Sequence, residues 1–203
     1  MNILSVAEIE LARVKILENA HELVDESFLL FEAGRYPRAY ALAHLGLEEL
    51  GKIPMLVRAG QDSVLGRPVN WKRLNQRLRN HQSKLRVNMF IPLSIKHLPK
   101  SFEDLVSAVS KDTLIESARI ASKLNDLKNA SLYVSVEAGS IQKPTEIVTQ
   151  GDTEGVLQIA RSLLEIFDYM EDKYRGTIED VANSDEHLKA IKELDEYFKK
   201  ELT

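Results

Sequence analysis

Three groups of residues in this sequence have side chains and spacings that could do chemistry. The first is Glu48-Glu49-Leu50-Gly51-Lys52. On a helix, His44, Glu48 and Lys52 fall in one row. Read as a solvated face, its Glu48–Lys52 pair would contribute about 0.3–0.5 kcal/mol. Glu49 differs: it borders the apolar face near Leu45 and Leu56, and a half-buried carboxylate needs a partner because a bare buried charge is costly. The second group is His81-x-x-Lys84. His81 falls on an apolar stripe, where an imidazole is more often a hydrogen-bonded core residue than a catalyst. Lys84 flanks that stripe and would snorkel to water. The third group, Lys128-Asn129-Ala130-Ser131-Leu132-Tyr133, ends a helix. Lys128 falls near the centre of its inward face, where it either pairs or meets the negative helix end. Glu49 is the candidate partner. The expected site therefore joins Glu49, His81 and Lys128 in one pocket, with Lys52, Lys84, Asn129 and Tyr133 at its rim.

Other chemistries are poorly served. The chain has no cysteine, which excludes disulfides, cysteine-ligated zinc and thiol nucleophiles. There is no phosphate-binding glycine loop and no serine-hydrolase elbow. Five histidines are scattered, and His44 with Glu48 supplies only one turn of a ferritin-like metal site. The expectation is therefore no metal and no cofactor.

The elements that must position these groups are helices. The first runs from about Val6 to Ala33, started by a Ser5/Glu8 capping box, with Ile9, Ile16, Ala20, Leu23, Ser27 and Phe31 inward. Gly34 stops it, and Pro37 suits the first turn of the second helix, about Pro37 to Val57. There Ala39, Ala43 and Gly46 make a small-residue seam, and Pro54 should kink or end the helix. Gly60 to Asn70 reads as a loop. A third helix spans about Trp71 to Val87, with Leu74, Leu78, His81 and Leu85 on one face. Asn88 to Lys100 reads as an irregular apolar connector before a short helix capped by Ser101 and Asp104. A fourth helix covers about Asp112 to Leu132, with Leu114, Ala118, Ala121, Leu124 and Leu132 inward. Tyr133 to Val136 alternates like a strand, but one such segment cannot make a sheet alone. The fifth helix spans about Thr153 to Tyr174, with Leu157, Ala160, Leu163, Leu164, Phe167 and Met170 inside. Ser184 caps a last helix, and Gly176 to Asn183 could hinge it.

The predicted fold class is an all-α antiparallel bundle with irregular connectors. It is one domain over residues 1–203, with 177–203 as a C-terminal helical extension. The length of 203 residues suits one sizeable core. A formal net charge of -4 provides no global positive field for nucleic acid, so any RNA contact must come from a local patch. No segment approaches the roughly 20 apolar residues of a membrane span, and MNILSVAEIE lacks the basic and apolar parts of a signal peptide. A cytoplasmic protein without a membrane partner is expected.

The segment GRYPRAYALAHLGLEELGKI resembles the most distinctive stretch of AbiV abortive-infection proteins, a helix of small residues leading into a Glu-Glu, Gly-Lys signature. Asn19-Ala20, His81-x-x-Lys84, and Lys128 to Val134 followed by Gly139 and Pro144 fit the same pattern in order. The resemblance implies a HEPN-superfamily bundle, often dimeric, and in many members a metal-independent ribonuclease. It also implies that Lys128-Asn129-x-x-x-Tyr133 occupies the position of an Arg…His motif, with Lys for Arg and Tyr for His. The departure matters, because histidine titrates near neutrality whereas tyrosine, at about 10, is a poor base. Arg38-x5-His44 has the motif's spacing, but on the wrong element.

Two readings follow. In the first, a dimeric antiphage effector cleaves RNA: Lys128 stabilises phosphate charge, Tyr133 or His81 moves the proton, and Glu49 and Lys52 orient them, with Asn129 and Lys84 beside them. In the second, a non-catalytic interaction protein binds a phage, toxin or translation-machinery partner.

Overall fold

The first helix begins where Ser5 and Glu8 cap one another. Ser5 Oγ accepts from the Glu8 N–H at 3.3 Å, and the Glu8 carboxylate accepts from the Ser5 N–H at 2.7 Å. Helix α1 then runs Val6–Glu32 and is followed, after Gly34 at a positive φ of 69°, by α2, Tyr36–Leu50. The two are antiparallel neighbours. Phe31 meets Tyr36, Ser27 Oγ donates to the Ala39 carbonyl at 2.6 Å, and Gly46 lies against Val24 and Ala20. Ala39, Ala43 and Gly46 are all buried, and a Cβ on Gly46 would come within 2.9 Å of the Val24 side chain. The small-residue seam is thus what lets the backbones of α1 and α2 approach.

This computed structural model describes residues 3–86, 111–173 and 178–185. The apolar connector, the short helix expected after Ser101 and the helix expected after Ser184 lie outside the described residues. After α2 come α3, Ile53–Val64, and α4, Trp71–Arg79. Residues 81–86 form a helical segment, α5, and are followed later by α6, Lys111–Leu132. A two-stranded antiparallel hairpin, β1 Ser135–Glu137 and β2 Ser140–Gln142, turns at Gly139, whose φ is 84°. Short α7, Pro144–Ile147, leads to α8, Gln150–Lys173, and α9 spans Ile178–Ala182. The fold is an all-α bundle with one small hairpin.

The main core draws on α1, α2, α6 and α8, including Ala20, Val24, Tyr40, Ala43, Leu47, Ala121, Leu124, Ala160, Leu163 and Phe167. Helix α2 sits among the other three, so two of its faces are covered rather than one. Ile9, Leu56 and Ile178 form a smaller cluster that seats α9 against α1 and α3.

Several boundaries differ from the periodicity. The expected second helix breaks at Gly51, and Pro54 falls in the first turn of α3, where its missing N–H costs nothing. Helix α3 then continues into the stretch expected to be loop as far as Val64, and residues 65–70 are non-helical as expected. The expected third helix breaks at Asn80, whose backbone is extended (φ −88°, ψ 116°) and whose side-chain Oδ1 caps α5 by accepting from the Ser83 N–H at 2.8 Å. Of the alternating stretch Tyr133 to Val136, only Ser135 and Val136 lie in a strand, β1, which pairs with β2, beginning at Ser140; sequence alternation alone did not provide that partner. Residues 178–182, expected as a hinge, are helical. Met170, expected inside, is exposed.

Candidate functional site

Tyr40, His44 and Glu48 are four residues apart on α2 and form one row on its second covered face, toward α6. All three are buried. The Tyr40 hydroxyl donates to the Leu124 carbonyl of α6 at 3.2 Å, and its ring stacks near that of His44, with centroids 6.4 Å apart. Burial pushes the Tyr40 pKa up, helped by the Asp152 charge. The row ends at Glu48, which is only 2% exposed.

Glu48 is the hub of the cluster. Its Oε2 lies 2.6 Å from His81 Nδ1 and 2.7 Å from Lys84 Nζ, while its Oε1 lies 3.7 Å from Lys128 Nζ and 3.4 Å from His44 Nδ1. The Asn80 cap makes this possible. His81 and Lys84 sit one turn apart on α5, so both reach the same carboxylate oxygen. Gly51 brings α5 close: a Cβ there would lie 2.7 Å from the Lys84 carbonyl carbon, inside any permitted contact. The Glu48/Gly51 spacing thus serves one purpose, with a carboxylate to bind α5 and a missing side chain to admit it.

The electrostatics follow from this packing. Burial alone would raise the Glu48 pKa. The His44 ring, hydrogen bonds from Lys84 and His81, and the Lys84 charge outweigh it and hold the carboxyl well below the usual carboxylate range. His44 goes the other way for a base: burial lowers its pKa, Glu48 only partly offsets that, and the Lys128 and His81 charges add to the lowering. Neither His44 nitrogen nor Glu48 Oε1 completes a well-aligned hydrogen bond, so the 3.4 Å approach between them is a loose contact. Among the described residues, one carboxylate faces two ammonium groups, which leaves the cluster with a surplus positive charge. That surplus makes it a poor cation site and a good neighbour for an anion.

The expected site residues divide accordingly. His81 and Lys128 do converge, but on Glu48 and not on Glu49. Glu49 lies half-buried on the neighbouring face, paired with Lys52. Lys84, expected to snorkel, is buried against Glu48, because α5 lies over it. His81, expected on an apolar stripe, has a side chain 55% exposed, because the break at Asn80 resets the helical phase. Asn129 is exposed, and Tyr133 is 68% exposed past the end of α6. Among the described residues, neither Asn129 nor Tyr133 makes a side-chain hydrogen bond with the cluster. Glu48 and His44, a solvated row by their spacing, are instead buried. The signal that marks them is the Tyr40-x3-His44-x3-Glu48 spacing, which carries an aromatic into the same row. The Arg38 side chain is exposed and donates to the Leu132 carbonyl at 3.4 Å, apart from buried His44, so those two do not form a joint site.

Against known proteins, the sequence matches the family model for AbiV, of the HEPN type, over residues 8–165. No curated protein and no solved structure matches it. The matched span contains every residue of the Glu48 cluster. Among the described residues, no helix is long and apolar enough to cross a membrane.

Proposed function

This chain belongs to the AbiV family of the HEPN superfamily, and from that premise we propose that it is an antiphage abortive-infection protein that cleaves RNA without a metal. The observation that carries this reading is the Glu48–His81 pair: a buried carboxylate holds one nitrogen of an imidazole whose side chain is open to solvent. A carboxylate accepting from Nδ1–H fixes the tautomer and orientation of the ring and leaves Nε2 to exchange a proton with substrate. His81 is then the proton carrier, in place of Tyr133, and Glu48 replaces Glu49 as its positioning residue. His81 Nε2 removes the proton of a ribose 2′-hydroxyl as its oxygen attacks the adjacent phosphorus. The P–O5′ bond breaks, and the proton returns to the 5′ oxygen directly or through water. The products are a 2′,3′-cyclic phosphate and a 5′-hydroxyl. The surplus positive charge of Lys84 and Lys128 stabilises the dianionic phosphorane.

In this reading the protein works in the cytoplasm as a symmetric homodimer. Asn129 and Tyr133, both turned to solvent, are then available to a second copy or to the substrate, while Lys52 with Glu49 forms the outer edge. The three separate stretches described are one domain whose C-terminal extension begins near residue 177.

The test is to incubate the purified protein with total cellular RNA, with and without EDTA, beside His81→Ala and Glu48→Gln. Cleavage that survives EDTA and falls by about a hundredfold or more in His81→Ala is expected, because general acid–base groups contribute on that scale. Unchanged cleavage by His81→Ala, or no cleavage by the intact chain, would overturn the reading. A second reading has its own observation. Val136 and Ile141 face one another across the hairpin and both are exposed, as are Tyr133 and Val134. An exposed apolar edge of this kind suits a protein partner, such as a phage or translation-machinery component. In that non-catalytic reading the intact chain cleaves no RNA, and substituting Val136 and Ile141 with Ser abolishes phage restriction.

A further inference from the structure

The charge of this chain is unevenly distributed. Between Ser63 and Phe102 lie nine of its 27 lysines and arginines and none of its 31 aspartates and glutamates. That fifth of the sequence therefore carries +9, against −13 for the remainder. Its described part runs from the end of α3 through α4 and α5. On α4, Lys72, Arg73, Gln76, Arg77 and Arg79 are exposed, and Arg86 is exposed on α5. At 100° per residue, the five α4 positions occupy an arc of about 160°, opposite Leu74 and Leu78, which pack inward. Among the described residues, none of Lys72, Arg73, Arg77, Arg79 or Arg86 forms an ion pair.

One feature weighs against a simply solvated face, and a second bears on which partner the strip fits. Lys72 and Arg73 stand in the first turn of α4, with no acidic residue there. Cations at the positive end of a helix work against its dipole, so their presence has a local cost. No large apolar side chain is exposed between Ser63 and Arg86. Protein interfaces are anchored by such side chains, and membrane-surface helices insert them. A row of cations with an interspersed amide and no apolar anchor matches a regularly charged, hydrophilic backbone.

We propose that α4 and α5 form a track for the phosphate backbone of an RNA strand, leading it to His81. The track rests on the ribonuclease reading for its choice of RNA, but it stands on its own charge geometry. Arg79 precedes His81 by two residues, and Asn80 between them links the end of the track to the start of α5. Binding is sequence-independent, because every contact is to phosphate.

The test measures binding separately from cleavage. A fluorescent single-stranded 2′-O-methyl RNA, which cannot be cleaved by its own 2′-oxygen, is titrated with the intact chain and followed by anisotropy at several salt concentrations. The comparison is a Lys72→Gln, Arg73→Gln, Arg77→Gln, Arg79→Gln variant. Each phosphate neutralised contributes about −0.7 to the slope of log affinity against log salt on a single strand, so the variant should flatten the slope by up to about 3 and lose about tenfold or more in affinity at low salt. Its melting temperature should hold, since all four side chains are exposed. Equal affinity and slope in variant and parent would overturn the track, as would absence of binding by the parent. Tighter binding of the parent to anionic phospholipid vesicles than to RNA would also overturn it. Normal RNA binding by the variant together with lost phage restriction would assign the strip to an acidic protein instead. A parent that binds the RNA but cleaves no natural RNA would remove the ribonuclease reading and leave the track standing.

Discussion

Helix α2 has two covered faces held by opposite means. Toward α1, Ala39, Ala43 and Gly46 contribute almost no side chain, and the contact is close packing with one buried hydrogen bond from Ser27. Toward α5 and α6, Tyr40, His44 and Glu48 contribute large polar groups, and the contact is a charge cluster. The apolar face tolerates imperfect pairing because dispersion is non-directional and spread over many atoms. The polar face does not, because each buried charge depends on one or two named partners. The first face holds the bundle together. The second sets where α5 sits, and with it His81.

The largest break in that contrast should come from Glu48→Ala. Removing the hub strands the buried ammonium groups of Lys84 and Lys128, and losing one partner of a buried pair costs about 3–5 kcal/mol. Denaturant unfolding would measure it, and a loss under about 1 kcal/mol would mean that the cluster is more hydrated than its burial suggests. Double substitution of Lys84 and Lys128 by Met in the Glu48→Gln background should recover part of that stability, though not RNA cleavage.

Glycine substitutions separate the faces at intermediate size. Gly46→Leu overpacks the α1 seam, and Gly51→Ala drives a methyl into the Lys84 backbone. Each should cost about 1–3 kcal/mol. They should differ in activity. Gly51→Ala displaces α5 and should reduce cleavage beyond what its stability loss explains, whereas Gly46→Leu should leave the residual folded fraction fully active. Equal specific activity in the two would show that the position of α5 does not matter to the chemistry.

Acid titration should sharpen the contrast, since only the polar face titrates. Both His44 and Glu48 bind protons less readily folded than unfolded, so the unfolded state takes up protons first and stability falls with pH. The His44 contribution is complete above its unfolded value, about 6.5, and is lost as pH falls through its lowered folded value. The Glu48 contribution is complete above about 4.5 and declines further into acid. Chemical denaturation between about pH 3 and 8 should therefore show a fall in two stages, the first starting at about 6.5 and the second at about 4.5, and His44→Phe should remove the first. A flat profile from pH 7 to 5 would contradict the buried, proton-poor state of His44.

The smallest effect should come from Glu49→Ala. Its i,i+3 pair with Lys52 is partly solvated, and such pairs contribute about 0.3–0.5 kcal/mol. A loss above about 2 kcal/mol would mean that Glu49 has a partner of its own in the core.

Much of this was legible from local signals. The Ser5/Glu8 capping box, the Gly34 stop, the small-residue seam and the span of α6 follow from caps and a 3.6-residue period, which act within one or two turns. The sequence also pointed Lys128 at a carboxylate, because an inward-facing ammonium must find a partner; His81 reaches the same carboxylate from a solvent-open position that its place on the apolar stripe did not indicate. Which carboxylate Lys128 finds was not legible. Glu48 and Glu49 are adjacent, and the choice depends on whether α2 has one covered face or two. The break at Asn80 was missed for a similar reason. The sequence spacing of Leu74, Leu78 and Leu85 is helical straight across it, although the folded chain is not, and the Asn80 cap that restarts the helix is worth only about 1 kcal/mol and is easily hidden by that pattern.

By itself, then, the sequence determined α1, α6 and α8 with their approximate ends, the α1–α2 seam and the membership of the AbiV family, since each depends on neighbours close along the chain or on motifs in order. Only the tertiary structure decided that α2 is enclosed by α1, α6 and α8, that Glu48 rather than Glu49 is the hub, and that His81 is open to solvent. Those outcomes are set by which surfaces cover α2. Residues 48, 81 and 128 are brought together by packing between helices far apart in sequence, and helical periodicity gives the direction of a side chain without saying what stands in front of it.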